Sequence, residues 1–260
     1  MMNVKEEKCM AYKKYLEGLR KILNRIENEQ GEQIETIAGK MAESIQNKGI
    51  IHFFGSGHSV IPVLDAFPRY GSFLGLNALM DPRLMWSSVT GPASAPGLLK
   101  IERKEDFIED GFLRYQPVRA GDFLVVYSHG GLNAAPVEAA LFGKKRGATV
   151  VAVTSIENQK MAKATHSSGK KLIDIADYAI DNCVPPEDAI VELKGRREKV
   201  GATSTTAVVA ITLSLVCETA EILNDKGFDL KIFVSPNVEG FGVDNNLAIF
   251  DMHSELIRRH

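Results

Sequence analysis

The chain reads as a doubly wound α/β protein, a parallel sheet with helices on both faces. Three observations predict this. Three short apolar runs lack alternation, Ile50-Ile51-His52-Phe53-Phe54, Phe123-Leu124-Val125-Val126-Tyr127 and Thr149-Val150-Val151-Ala152-Val153-Thr154. Runs of this kind suit strands buried on both faces, as in a parallel sheet. Helical stretches separate them, and alternating strand and helix is the pattern of a doubly wound sheet. The first two runs also stop at polar, glycine-containing turns, Gly55-Ser56-Gly57 and Ser128-His129-Gly130-Gly131.

Residues 1–48 are helical in pattern. Tyr12, Tyr15, Leu19, Ile22, Leu23 and Ile26 recur at three- and four-residue steps, and Ile34, Ile37, Met41 and Ile45 continue the series. Gly31 between the two sets marks a break or a bend. Within residues 49–225 the runs are followed by helices over 134–146 and 158–164, and two further short strands are expected at 178–181 and 189–193. Between 81 and 116 the signal weakens. Residues 91–96, GPASAP, are loop-forming by composition, and 103–113 suit a helix; this insertion is placed to shape a ligand site. A long apolar helix is expected over 204–223. In the closing segment, 226–260, an irregular or extended stretch at 228–241 leads to a final helix over 245–259. The 260 residues are read as one domain, near the upper end of the usual size.

Composition narrows the function. The chain is 45% hydrophobic and 25% charged, enough for an ordinary core. A net charge of −2, from 31 basic and 33 acidic residues, gives no electrostatic footprint for nucleic acid or an anionic membrane. Cys9, Cys183 and Cys217 show no paired spacing, so neither a disulfide framework nor a zinc pattern is expected. Their odd number suits a reducing compartment, and Cys217, among apolar neighbours, reads as a small core residue. The first residues are charged and lack an apolar signal core. The most apolar stretch, 207–216, is short of a membrane span. A cytoplasmic location is the expectation.

Ligands of open parallel sheets bind at the carboxyl ends of the strands, where both turns lie. In Gly55-Ser56-Gly57-His58-Ser59, glycine lets the backbone turn sharply and approach a ligand. The following helix start supplies N–H groups and a positive dipole end, and Ser56 and Ser59 add hydroxyls. Ser128-His129-Gly130-Gly131-Leu132-Asn133 repeats the logic ahead of a helix that tolerates Pro136 in its first turn. Either turn alone could be only a capped strand–helix connection; the pair reads as an anion pocket. A third segment, Gly201-Ala202-Thr203-Ser204-Thr205-Thr206, opens the long apolar helix, and capping is the simpler reading there.

On these residues the chain resembles the sugar isomerase (SIS) domain family. FGSGHS resembles that family's first serine-bearing loop, residues 126–133 its serine-rich phosphate loop, and EAALFGKKRGATVVAVTS its helix, Gly-Ala turn and apolar strand. GHS, Asp81-Pro82, KVGATST and SPNVEG are similar to a narrower group of SIS-domain proteins labelled phosphosugar or phosphoheptose isomerases. The resemblance implies a five-stranded parallel sheet, and a phosphosugar held by Ser56, Gly57, Ser59, Ser128, His129, Gly130, Gly131, Asn133, Ser204 and Thr205. It also implies dimerisation, and a homodimer or homotetramer is expected. The chain departs from the pattern in three places. Gly130 stands where the loop usually carries a hydroxyl residue, Asn133 stands at a later hydroxyl position, and Leu64-Asp65 keeps one of two consecutive acids.

Aldose–ketose isomerisation needs a phosphate anchor, a base between adjacent carbons and a donor for the enediolate. His58 in the first turn, Asp65 two helical turns later, and His253 on the last helix are the candidate proton-moving groups. His253 rests on the resemblance, since phosphoheptose isomerases use a histidine on a C-terminal helix. Glu138 suits an exposed or capping role. His58 and His129 could meet across the turns, but no HxH, HxxxH or cysteine partner accompanies them, so no metal or other cofactor is expected. Trp86, Leu84 and Met85 read as core or interface. The first expectation is an isomerase acting on a sugar phosphate; the alternative is a non-catalytic phosphosugar sensor working through a protein partner, which Gly130 and the lone Asp65 favour. A nucleotide-binding protein ranks lower, because neither turn is GxGxxG or GxxxxGK[ST].

Overall fold

A computed structural model of the chain describes residues 10–85 and 94–260. Its five-stranded sheet contains β1 (Ile51–Gly55), β2 (Leu76–Leu79), β3 (Phe123–Tyr127), β4 (Thr149–Thr154) and β5 (Tyr178–Asp181). The order is β2-β1-β3-β4-β5, and every pair is parallel. The five parallel strands match the expected count, but not in every member. The expected strand at 189–193 lies in a separate antiparallel hairpin, β6 (Ala189–Glu192) with β7 (Lys199–Ala202). Its place is taken by β2, Leu-Asn-Ala-Leu, an edge strand. An edge strand pairs on one side only and can be short and partly polar, which hides it from a search for apolar runs.

Successive side chains of each strand feed opposite faces. Ile51, Phe53, Val125, Tyr127, Val151 and Val153 point into one core. Phe54, Leu124, Val126, Val150 and Ala152 point into the other. The first core is closed by α1 (Ala11–Gln46), α2 (Ile61–Ala66) and, later in the chain, the long helix α8 (Ser204–Asp225). Gly31 neither breaks nor ends α1, which runs unbroken for 36 residues. The helical penalty of one glycine, about 1 kcal/mol, is small beside the burial of Ile22, Ile26, Ile34, Ile37, Met41 and Ile45 along one stripe. By length and composition α8 could cross a membrane; here Ala207, Ile211, Leu215 and Leu223 are buried in the same core as α1.

The second core is closed by α3 (Ser94–Ile101), α4 (Phe107–Gly111), α5 (Ala134–Arg146) and α7 (Leu172–Ile175), with α6 (Ile156–Met161) following β4. Among the described residues the insertion carries two short α-helices and two 3-10 turns, Pro82–Leu84 and Leu113–Tyr115, and α3 begins inside the segment read as loop, with Pro96 in its first turn where proline is tolerated. Trp86, part of GPASAP and Cys9 lie outside the described residues. Cys183 is buried, but Cys217 is exposed on α8, contrary to the core role read from its neighbours. It falls between buried Leu215, Val216 and Thr219, on the outer side of the helix.

The stretch before the last helix is irregular, as read. It docks on the sheet edge through Leu74 N–H to Lys231 O and Phe233 N–H to Ser72 O. Helix α9 (Val243–Arg259) then runs to His260, whose Nε2 lies 2.7 Å from Asp122 Oδ2. Asp122 is fully buried and also accepts from Ile50 N–H, Arg119 N–H and His52 Nε2. His52, Asp122 and His260 are close enough to share an ion; with a proton on each Nε2 they form a hydrogen-bonded latch between the last helix and the sheet.

Candidate functional site

Strand order 2-1-3-4-5 has its switch point between β1 and β3, where an open parallel sheet leaves a crevice at the strands' carboxyl ends. Both glycine turns sit there. After β1, Ser56 leads into one 3-10 turn, Gly57–Val60. Gly57 has φ +61°, a conformation that favours glycine. A Cβ on Gly55 would strike the Ser59 carbonyl, so the turn needs glycine there for close approach. The crevice is lined by His58, Ser59, His129, Ser204, Thr205 and Val208, and it is narrow, about 20 Å³.

The histidine of the second turn is fixed at both ring nitrogens. Asn182 Oδ1 accepts from Val184 N–H, so its Nδ2 group donates to His129 Nδ1 at 3.2 Å. His129 Nε2 then carries the proton and donates to Pro186 O at 3.2 Å. Ser128 Oγ accepts from Gly131 N–H at 3.0 Å, which orients the hydroxyl and leaves its hydrogen to donate. Gly131 has φ +62°, and a Cβ there would collide with Gln159. At Gly130 the nearest atom to an added Cβ is Asn158 Nδ2 at 3.9 Å, so a side chain fits.

The start of α8 is capped by a carboxylate of the chain itself. Asp188 Oδ1 accepts from Thr203 N–H and Ser204 N–H, and Asp188 Oδ2 accepts from Ser204 Oγ at 2.7 Å. Ser204 is thus held by an internal anion, Asp188. Asn133 precedes α5 without a side-chain capping bond. It faces a second opening of about 320 Å³, shared with Arg103, Glu105, Ala134, Thr165 and His166. Glu102 joins the two turns, its Oε2 accepting from Ser56 Oγ at 3.3 Å and its carbonyl from Ala135 N–H.

A family model described as SIS domain matches residues 14–155, from inside α1 to just past β4. The chain belongs to the SIS domain family. Among full-length relatives, a UPF0309 protein of Oceanobacillus iheyensis is 34% identical over 249 residues, covering 95% of this chain and 99% of its own. A UPF0309 protein of Caldanaerobacter subterraneus subsp. tengcongensis is 34% identical over 250 residues, covering 94% and 98%. Among solved structures, a phosphoheptose isomerase from Francisella tularensis superposes with a TM-score of 0.51 at 15% identity, over 80% of this chain and 95% of that one. The phosphoheptose isomerase of Neisseria gonorrhoeae gives 0.50 at 17%, over 81% and 95%. At such identities the likeness is one of fold.

This SIS domain brings together His58, Ser59, His129, Ser204 and Thr205. Ser56, Gly57, Ser128, Gly130 and Gly131 form the turns around them. Asp65 and His253 do not line that crevice. Asp65 pairs with Arg69 on the rim of an apolar groove of about 540 Å³ that also includes Tyr70, Val243, Leu247 and Phe250. His253 packs on Phe67 with ring centroids 4.7 Å apart, and burial lowers its pKa from the ordinary value. Glu138 is buried rather than exposed. Its Oε1 accepts from Asp106 N–H at the start of α4, so the capping half of its expected role holds. Burial raises its carboxyl above the usual value.

The residues the sequence reading passed over are Arg103, Glu105, Thr165 and His166, around the larger opening. The available signal was the polar stretch Thr165-His166-Ser167-Ser168-Gly169, which joins α6 to α7.

Proposed function

We propose that this SIS domain binds a sugar phosphate and interconverts its aldose and ketose forms. The placement of both glycine turns at the β1/β3 switch point carries the reading. There the N-terminus of α5 offers N–H groups and a positive dipole end to a phosphate, and the Ser128 hydroxyl hydrogen remains to donate. Two solved proteins that share the fold are phosphoheptose isomerases, which is consistent with this ligand class. A cytoplasmic homodimer or homotetramer is the working form in this reading, supported by the exposed Tyr70, Val243, Leu247 and Phe250 around one groove. A monomer by light scattering at micromolar concentration would remove that part.

The test is a thermal-shift panel of hexose, heptose and amino-sugar phosphates with inorganic phosphate as control, followed by C2-proton exchange in deuterated water. A ligand present at about 100 times its Kd adds about 2.7 kcal/mol of stability. A sugar-specific shift with exchange is expected; no shift across the panel overturns the reading. The binding-only alternative is favoured by Gly130, which supplies no hydroxyl, and a sugar-specific shift without exchange would select it.

A further inference from the structure

We propose that His52, Asp122 and His260 form a binding site for one divalent transition-metal ion of the Zn²⁺ kind, and that the ion fastens the last helix to the sheet.

The three ligands come from distant parts of the chain. His52 is the second residue of β1, Asp122 directly precedes β3, and His260 follows α9. His52 and His260 stand 70 and 138 residues from Asp122 in sequence, so no short ligand spacing marks the site. Strands β1 and β3 pair in register from Ile51 and Phe123, which brings His52 and Asp122 together at the amino ends of the strands. Both glycine turns stand at the carboxyl ends, so the site is separate from the sugar-phosphate crevice.

Distances come first. One ligand atom of each residue lies within 4.8 Å of the other two. His52 Nε2 is 3.2 Å from Asp122 Oδ2; His260 Nε2 is 2.7 Å from the same oxygen and 2.8 Å from Oδ1. Zn²⁺ holds imidazole nitrogen and carboxylate oxygen at about 2.0–2.2 Å in a tetrahedron, which sets its ligand atoms about 3.3–3.5 Å apart. The His52 contact is close to that length, and the His260 contact reaches it by opening about 0.6 Å. His260 is at a helix end, where such a shift disturbs little.

Lone pairs come second. Asp122 Oδ2 also accepts from Arg119 N–H at 2.9 Å, so an oxygen with two lone pairs meets three N–H groups. An ion relieves this. Each Nε2 and Oδ2 give it one lone pair, and the second pair of Oδ2 stays with Arg119. Ile50 N–H steadies Oδ1 at 2.9 Å, and backbone bonds of this kind orient a ligating carboxylate. With Nε2 on the metal, each ring carries its proton on Nδ1. His52 Nδ1 lies 3.1 Å from the Asn77 side-chain amide; turned over, that amide presents its oxygen to the N–H, the contact a ligating histidine usually makes. His260 Nδ1 is buried without a hydrogen-bond partner, so this ring is held through Nε2 alone. The negative end of 17-residue α9 lies beside it and favours a cation.

Two imidazoles and a carboxylate suit Zn²⁺ or Co²⁺, whereas Mg²⁺ and Ca²⁺ take oxygen ligands. With both Asp122 oxygens the donor atoms number four. The side chains of His52, Asp122 and His260 are 0%, 0% and 1% exposed. An ion there is sealed from substrates, so its role is structural.

The full chain, stripped with a chelator, is titrated with Zn²⁺ against a chromophoric competitor and, separately, with Co²⁺. One ion per chain with a Kd below about 1 μM is expected, with the intense visible bands of tetrahedral Co²⁺ and slower amide exchange at the end of α9 when Zn²⁺ is bound. His260→Gln is expected to keep the far-UV circular dichroism of the unaltered chain and to weaken Zn²⁺ binding by about 100-fold or more. Asn77→Ala is expected to weaken it by about 10-fold, and His166→Gln, beside the larger opening, to leave it unchanged. A chain that takes up no Zn²⁺ in that range overturns the site. So does Zn²⁺ binding that survives His260→Gln undiminished, or a Co²⁺ spectrum of octahedral form. Should His260→Gln fail to fold, the unaltered chain decides: an α9 end that exchanges equally with and without Zn²⁺ overturns the proposal.

Discussion

Two adjacent glycines carry opposite instructions. Gly131 sits at φ +62° against the end of the Gln159 side chain, whose Nε2 donates to Thr154 Oγ1 at 2.8 Å and would lose that bond if displaced. Gly131→Ala is expected to lower stability by about 1–3 kcal/mol, read as a lower urea midpoint with an unchanged slope. Gly130 has space for a side chain and no left-handed φ. Gly130→Ser is expected to leave stability within about 0.5 kcal/mol. The hydroxyl it adds should strengthen phosphate binding by roughly 2–10-fold, the worth of one hydrogen bond, in a direct titration. The sequence alone marked both glycines as part of one turn. The family resemblance set Gly130 apart as a place where a hydroxyl is usual, but composition and spacing do not show what faces each glycine, Asn158 and Gln159, from beyond the next strand. Asp65 and His253 show the same limit. Spacing placed each on a helix near the first turn or the chain end, and only packing shows that they face Arg69 and Phe67.

At the scale of elements, the apolar runs announced β1, β3 and β4 because each is buried on both faces. β2 escaped notice because it is an edge strand, and the 189–193 run misled because its partner is its own hairpin neighbour. The end of the last helix is tied to the sheet through one buried carboxylate, Asp122, while Asn246, Ile249 and Phe250 hold the rest of it. Burial works against the Asp122 charge, but bonds from His52, Ile50 N–H, His260 and Arg119 N–H together outweigh it and hold the carboxyl below its ordinary value. Asp122→Ala would leave those donors buried and unpaired. It is expected to destabilise the fold by about 3–5 kcal/mol, with amide exchange at the end of α9 rising most. An exchange pattern in α9 equal to that of the unaltered chain would dismiss the latch.

For the molecule as a whole, buried His52 and half-buried His253 set the response to acid. Burial lowers the pKa of His52, against the pull of Asp122, and of His253. Unfolding returns both to about 6.5. The unfolded chain therefore binds more protons just below that value, and stability falls as pH drops through it. Glu138 has the opposite sign, since its raised value makes the folded chain lose stability as pH climbs above about 4.5. Urea midpoints are expected to decline from pH 7 toward pH 5, and His253→Leu to flatten that decline; an unchanged slope in the variant would assign it elsewhere. The sequence by itself determined the layered α/β architecture, both glycine turns and the family, because burial on two faces and sharp strand-end turns leave local marks in residue order. Only the tertiary structure decided that Arg103, Glu105 and His166 meet beside Asn133. Those residues come from the insertion and the β4–β5 connection, and their meeting depends on how distant segments pack across the end of the sheet, which no local pattern records.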